Sequence, residues 1–124
     1  MDVYTYQIAK WRLVKALDSG IVVIDTTVKS GYSQVAPSWD MVMGHKAGTV
    51  SDEKYTQIYH DILDYSRQVN PNFWGSLLRL EKIALGCYCS PGKFCHRHLL
   101  VNYLRQLTTV NYVAEIGQTN NQKG

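Results

Sequence analysis

Short apolar runs that alternate with segments of helical periodicity are the feature that most constrains this fold. Ile21-Val22-Val23-Ile24 is a continuous β-branched run without polar alternation, which is typical of a strand covered on both faces in a parallel sheet. Three further strands are predicted at Val3 to Tyr6, Ile83 to Cys89 and Val110 to Ile116. The chain therefore carries the strands of a small sheet.

Segments with helical spacing of apolar residues separate these strands. They run from Gln7 to Asp18, from about Ser51 to Val69, from about Asn72 to Leu80, and through Leu99 to Leu107. The alternation predicts a three-layer α/β/α Rossmann-like domain with a small, mostly parallel sheet of about four strands. Because 124 residues leave room for one domain, residues 1–117 are predicted to form it, followed by a polar, disordered tail at 118–124.

The connection from Val28 to Val50 contains glycines and a proline among polar residues, and it is predicted to be long and irregular, able to act as a lid. Within it, Tyr32, Trp39 and His45 could stack on a base. The alternative for Trp39 is that it pins the loop to the core. Trp11 and Trp74 lie in helical stripes and are predicted to pack.

Charge and targeting signals narrow the class of protein. The net charge is only +3, and the 13 Lys and Arg are spread without a run, so nucleic acid is an open but not a favoured partner. The amino terminus lacks a signal peptide's apolar region, and no apolar run approaches the length of a membrane span. The three clustered cysteines are expected to be reduced thiols, and the cytoplasm is the expected compartment.

The stretch from Cys87 to His98 follows the predicted central strand and enters a helix, which is where ligands bind in such sheets. A helix amino terminus favours anions, yet cations crowd this one, so an anion site is expected. Lys93, His96 and Arg97 are predicted to hold a phosphate. Cys89 or Cys95 is predicted to be a reactive, catalytic thiolate, with Cys87 inert.

Two alternatives stay open for this stretch. The cationic side chains could simply face solvent while His96 bonds a carbonyl. Alternatively, Cys87, Cys89, Cys95 and His98 could bind a zinc ion, although C-x-C on a strand more often means small buried residues.

A second cluster follows the Ile21–Ile24 strand. Asp25 could act as a catalytic base or accept ribose hydroxyls, and the ligand's polar groups would contact Thr26, Thr27, Lys29 and Ser30. The alternative is that Asp25 caps the backbone of its own loop. Tyr6 and Glu115, at the ends of the first and last strands, are candidates for the rim of the site.

The run Ala84 to Cys89, followed by Cys95-His96-Arg97, resembles the signature of the family named domain of unknown function 488. The likeness extends to Ile24-Asp25-Thr26-Thr27 and the loop after it, and the compact chain resembles small phage-encoded members. Family members commonly carry an arginine after the strand aspartate, where this chain has Thr26 and Thr27. The resemblance implies an α/β fold and a functional Cys-His-Arg region without naming a reaction.

These observations predict a protein that binds a small anionic ligand, a nucleotide or nucleoside derivative, without an assigned cofactor, and hydrolysis of that ligand is a possible activity. The alternative is a zinc-supported module that binds protein or nucleic acid. Whether the chain is an enzyme is left open. Arg97→Ala is expected to weaken phosphate binding and to leave the fold nearly intact, as a surface substitution would.

Overall fold

The computed structural model describes residues 1–89 and 93–117. Its strands are β1 (Asp2–Gln7), β2 (Val22–Asp25), β3 (Lys82–Cys87) and β4 (Asn111–Ile116). Its helices are α1 (Trp11–Leu17), α2 (Trp39–Ala47), α3 (Asp52–Val69), α4 (Pro71–Leu77) and α5 (His96–Arg105), with 3-10 turns at Ile8–Lys10 and Ser33–Val35. The predicted α/β fold is confirmed.

The four strands form one parallel sheet in the order β2-β3-β1-β4. Gly86 of β3 is in register with Tyr6 of β1 on one side and with Asp25 of β2 on the other. Since all strands run the same way, the segments that follow β2 and β3 leave the sheet at the same edge and lie side by side.

Two hydrophobic cores lie on opposite faces of the sheet. Ile83 and Leu85 of β3 pack with helices α3, α4 and α5, whereas Ala84 packs with Val14 of α1 on the other face. This alternation is the period of two of a strand. It gives the three layers of the fold.

Helix α3 begins after Ser51, whose side chain accepts a hydrogen bond from the Lys54 amide at 3.1 Å. The apolar spacing in this segment predicts a buried stripe of Tyr55, Ile58, Ile62, Tyr65 and Val69, which is partly wrong, because Tyr65 and Val69 are 65% and 52% exposed. The buried face instead carries Tyr55, Tyr59, Leu63 and Ser66. Ser66 is tolerated there because its hydroxyl accepts a hydrogen bond from the Trp74 indole at 2.9 Å.

Residues 28–50 are more regular than predicted. They contain α2, which begins after the cap Ser38 and ends at Gly48, whose φ of 83° suits glycine. The prediction that Trp39 pins this segment to the core is wrong, since its side chain is 56% exposed. The prediction that both faces of β2 are covered is wrong, because β2 is an edge strand and Val22 is exposed.

Of the two tryptophans predicted to pack in the core, Trp74 is buried and Trp11 is exposed. Trp74 is 3% exposed, as predicted, but Trp11 is 49% exposed and has the Arg12 guanidinium over its ring, so its predicted packing role is wrong. In the part of the chain that the structure describes, no helix has the length and apolarity needed to cross a membrane. The predicted tail at 118–124 lies outside the described residues.

Candidate functional site

A cavity of about 340 Å³ opens where the segments after β2 and β3 leave the sheet. Helices α2, α3 and α5 complete its walls. Six classes of side chain line it: thiols, imidazoles, aromatic rings, lysines, apolar groups and one threonine hydroxyl. They are Cys87, Cys89, Cys95, His45, His96, Trp39, Tyr55, Tyr88, Phe94, Lys29, Lys46, Thr27, Val28, Val42 and Met43.

The three cysteines converge on this cavity. Their sulfur atoms all lie within 4.8 Å of one another, and the sulfurs of Cys87 and Cys95 are paired as in a disulfide, so the structure does not show the three reduced thiols that the sequence predicts. The Cα atoms of that pair are 7.8 Å apart. Cys87 and Cys95 are buried, whereas Cys89 is half-buried. The stretch predicted to carry the chemistry therefore forms one thiol cluster.

His96, the first residue of α5, lies against this cluster and is 6% exposed. Its Nε2 donates to the Thr26 carbonyl at 3.0 Å, and its Nδ1 lies 3.4 Å from the Tyr55 hydroxyl and 3.7 Å from Cys95 Sγ. Burial, opposed in part by the Thr26 hydrogen bond, lowers the pKa of His96 to about 4. The imidazole is therefore neutral near pH 7, and Nδ1 is an acceptor.

Tyr55 supplies the donor for that nitrogen. Burial, with a smaller effect from the nearby Cys89, raises the pKa of Tyr55 well above its usual value, so the phenol keeps its proton. Its hydroxyl is then free to donate to His96 Nδ1. The pair forms a neutral, polar patch in an otherwise apolar wall.

Arg97 is completely buried, contrary to the surface position that the sequence predicted. Its Nη2 and Nε donate to Glu115 at 3.0 and 3.3 Å. Its Nη1 donates to Cys87 Sγ at 2.7 Å and to the Cys89 carbonyl at 2.9 Å. The guanidinium thus ties β4 to the thiol cluster, and it does not line the cavity.

Glu115 sits in a closed network. Its side chain is 6% exposed, and it also accepts a hydrogen bond from Thr5, whose hydroxyl lies 2.6 Å from that of Tyr112. His98 Nε2 is 3.9 Å from the same carboxylate, and His98 is not part of the thiol cluster. Burial, then Arg97, lowers the pKa of His98, and Glu115 opposes this.

The loop after β2 is organised by Asp25. Its carboxylate accepts from the Thr27 amide at 2.9 Å, from the Thr27 hydroxyl at 2.7 Å and from the Ser30 hydroxyl at 2.8 Å. Gly31 lets the chain turn back, because a Cβ there would overlap the Asp25 carbonyl and the Thr27 backbone. Asp25 therefore caps its own loop in this structure.

The aromatic residues form two groups. Phe94 stacks on His45 with ring centroids 4.9 Å apart and meets the edge of Tyr55, while His45 Nε2 is 2.6 Å from Asp52. Trp39 and Tyr88 line the cavity yet stay 56% and 59% exposed. The first group forms a packed wall, and the second leaves two aromatic faces in solvent.

The structure separates the other predicted residues. Thr27, Lys29 and His96 line the cavity, as do Trp39 and His45. Thr26 is buried and bonded to the Gly86 carbonyl at 2.8 Å, Ser30 belongs to the Asp25 loop, and Lys93 is exposed outside the lining. Tyr32 packs on Phe73, and Tyr6 is buried against Gly86, with its pKa raised first by burial and then by Asp25.

Comparison with protein families gives one finding. The family model described as "DUF488-N3a: Active DUF488-N3 subclade" matches residues 6–108. This chain belongs to that family. The match runs from the last two residues of β1 to just beyond α5, including the loop after β2 and the whole thiol cluster. The comparisons with curated proteins and with solved structures return no match.

Sequence reasoning missed several residues that line the cavity of this DUF488-N3a chain. Lys46, Val42 and Met43 lie on α2, which was predicted to be irregular. The sequence pattern predicts Tyr55 only as a core residue of α3, and it assigns no role to Tyr88, which lies between two cysteines. The Ser38 cap and Gly48 were the signals that could have revealed α2.

Proposed function

We propose that the cavity binds a nucleotide or nucleoside derivative and that the thiol cluster at its floor is the chemically reactive group. The observation that carries this proposal is the combination of exposed aromatic faces, two lysines and three cysteines around one cavity of about 340 Å³. Volumes of roughly 300–1,000 Å³ are usual for small-molecule sites.

The aromatic faces favour a planar ligand. Trp39 on α2 and Tyr88 after β3 come from different elements but line the same cavity with more than half of each side chain in solvent. Such rings lose little entropy and gain contact when a base stacks on them. A heterocyclic base is the ligand part that fits this pair.

The charges favour an anion. Among the described residues that line the cavity, Lys29 and Lys46 carry full positive charges, and none of the lining residues is acidic. His45, an imidazole of the lining, is paired with Asp52. Because the Arg97 guanidinium is hydrogen-bonded to Glu115, the two lysines, and not Arg97, bind the phosphate in this proposal.

The polar floor favours chemistry as well as binding. Cys89 is half-buried in the lining, and neutral His96 with Tyr55 offers a proton acceptor and a donor beside it. The description of the family as an active subclade supports a catalytic role. Asp25 contributes by holding the loop that carries Lys29.

Isothermal titration with nucleoside monophosphates and with the matching nucleosides tests the proposal. We expect the monophosphates to bind more tightly, and Trp39→Ala and Lys46→Ala each to weaken that binding roughly 10- to 100-fold, because a stacked ring or a charge-assisted contact is worth roughly 1.5–3 kcal/mol. Trp11→Ala and Lys15→Ala, on α1 across the sheet, are matched controls that should bind like the wild type.

Equal loss in the Trp39 and Trp11 variants would contradict the proposal, because it would trace the effect to general destabilisation. Absence of binding by any base-containing phosphate at millimolar concentration would also contradict it. Thermal unfolding of each variant establishes that the fold is retained.

A further inference from the structure

We propose that Cys87, Cys89 and Cys95 together bind one zinc ion, with the fourth coordination position on the cavity side. The inference deepens the proposed function, and only the role of the fourth position rests on it. Metal content and nucleotide binding are measured separately, so either proposal can fail alone.

The positions of the sulfur atoms fit a tetrahedral site. All three lie within 4.8 Å of one another. At a Zn–S distance of about 2.3 Å, two sulfurs of a tetrahedral zinc site are about 3.8 Å apart. One ion is therefore within reach of all three after small side-chain adjustments. Thiolate ligands select zinc over the hard cations calcium and magnesium.

The Cα–Cα distance between Cys87 and Cys95 favours a metal site over a stable disulfide. Their Cα atoms are 7.8 Å apart. Disulfides usually span about 4.4–6.8 Å between Cα atoms. A disulfide would also leave Cys89 without a partner beside the pair, whereas a metal uses all three sulfurs.

Arg97 supplies the second shell that a thiolate site requires. Its Nη1 donates to Cys87 Sγ at 2.7 Å, and its other nitrogens are fixed by Glu115. Three thiolates around a divalent ion leave one negative charge; Glu115 already balances the charge of Arg97, so the contribution of the guanidinium is its N–H···S hydrogen bond to Cys87. Hydrogen bonds of this kind orient ligands and stabilise the thiolate form.

The geometry changes the ligand set that the sequence suggested. His98 faces Glu115 and is not part of the sulfur cluster. The three cysteines all line the cavity, so the remaining position points into it. A ligand atom that enters the cavity would complete the tetrahedron there.

Elemental analysis of protein purified under reducing conditions, with zinc added and free zinc removed, tests the inference. We expect one zinc per chain in the wild type. Because Cys89 has the most accessible of the three sulfurs, we expect Cys89→Ser to lose at least tenfold in zinc affinity. His98→Gln is the matched control and should keep its zinc. Cobalt(II) in place of zinc should give thiolate charge-transfer absorption and the intense visible bands of tetrahedral coordination.

A second measurement needs no variant. Thiol titration of the native wild type should show three slowly reacting cysteines with zinc and three faster ones after chelation. Three thiols that react at equal rates with and without zinc would overturn the inference. A Cys87–Cys95 disulfide that persists under these reducing conditions, seen as a mass two hydrogens lower than that of the reduced protein, would also overturn it. Loss of zinc in His98→Gln with a retained fold would overturn the proposed ligand set.

Discussion

Arg97, predicted from the sequence to bind a phosphate, donates its hydrogen bonds to protein groups around the site. Its guanidinium is fully buried and contacts Glu115, Cys87 and the Cys89 carbonyl. The sequence expectation that Arg97→Ala leaves the fold nearly intact is not supported by this burial. A buried charge left unpaired is far more costly than a lost surface contact.

We expect Arg97→Met to lower the free energy of unfolding by about 3–5 kcal/mol, because the Glu115 carboxylate then lacks its counter-charge. Urea unfolding measures the change. The double variant Arg97→Met with Glu115→Leu should be more stable than Arg97→Met alone, since Thr5 retains Tyr112 as a partner. A single variant as stable as the wild type would show that the pair contributes nothing to folding.

The loop between β2 and the first 3-10 turn after it shows how one element positions the site. Asp25 closes the loop with three hydrogen bonds, and the Gly31 amide donates to the Thr27 carbonyl at 2.9 Å. This compact turn carries Thr27 and Lys29 into the cavity lining. Its shape depends on the small size of Gly31.

We expect Gly31→Ala to destabilise the protein by about 1–3 kcal/mol, because the added methyl group meets backbone atoms of Asp25 and Thr27, which cannot move aside as a side chain could. Gly75→Ala, inside α4 with nothing within 4 Å, is the matched control and should stabilise by up to about 1 kcal/mol through helix propensity. Thermal and urea unfolding measure both. The same sign of effect at the two positions would refute the steric explanation.

At the scale of the whole molecule, the sheet order decides which parts of the fold are held from both sides. β1 pairs with β3 and β4, and β3 pairs with β1 and β2, so these two strands are central. β2 and β4 are edges, with Val22 and Val113 exposed. The site lies where the central strand β3 and the edge strand β2 end.

We therefore expect backbone amides that are hydrogen-bonded in β1 and β3 to exchange with solvent more slowly than those in β4, because edge strands open locally at lower free energy. Native-state hydrogen exchange followed by NMR measures this. Slower exchange in β4 than in β1 would contradict the strand order.

The sequence by itself determined the order and type of most elements, because strands and helices have different periods of apolar residues. It also located the Cys87–Arg97 stretch and Asp25 at the same edge of the sheet, since the ends of parallel strands meet there. The family resemblance rested on those same residues and is confirmed over residues 6–108.

Only the tertiary structure decided which faces are buried. Periodicity shows which residues share a helix face, but the neighbouring elements determine whether that face meets protein or water. Trp11 and Trp74 both lie in apolar stripes with helical spacing, yet Trp11 of α1 faces solvent, whereas Trp74 of α4 is buried against α3. Arg97 is buried for the same reason: β4, over 100 residues from β1 in sequence, brings Glu115 beside it.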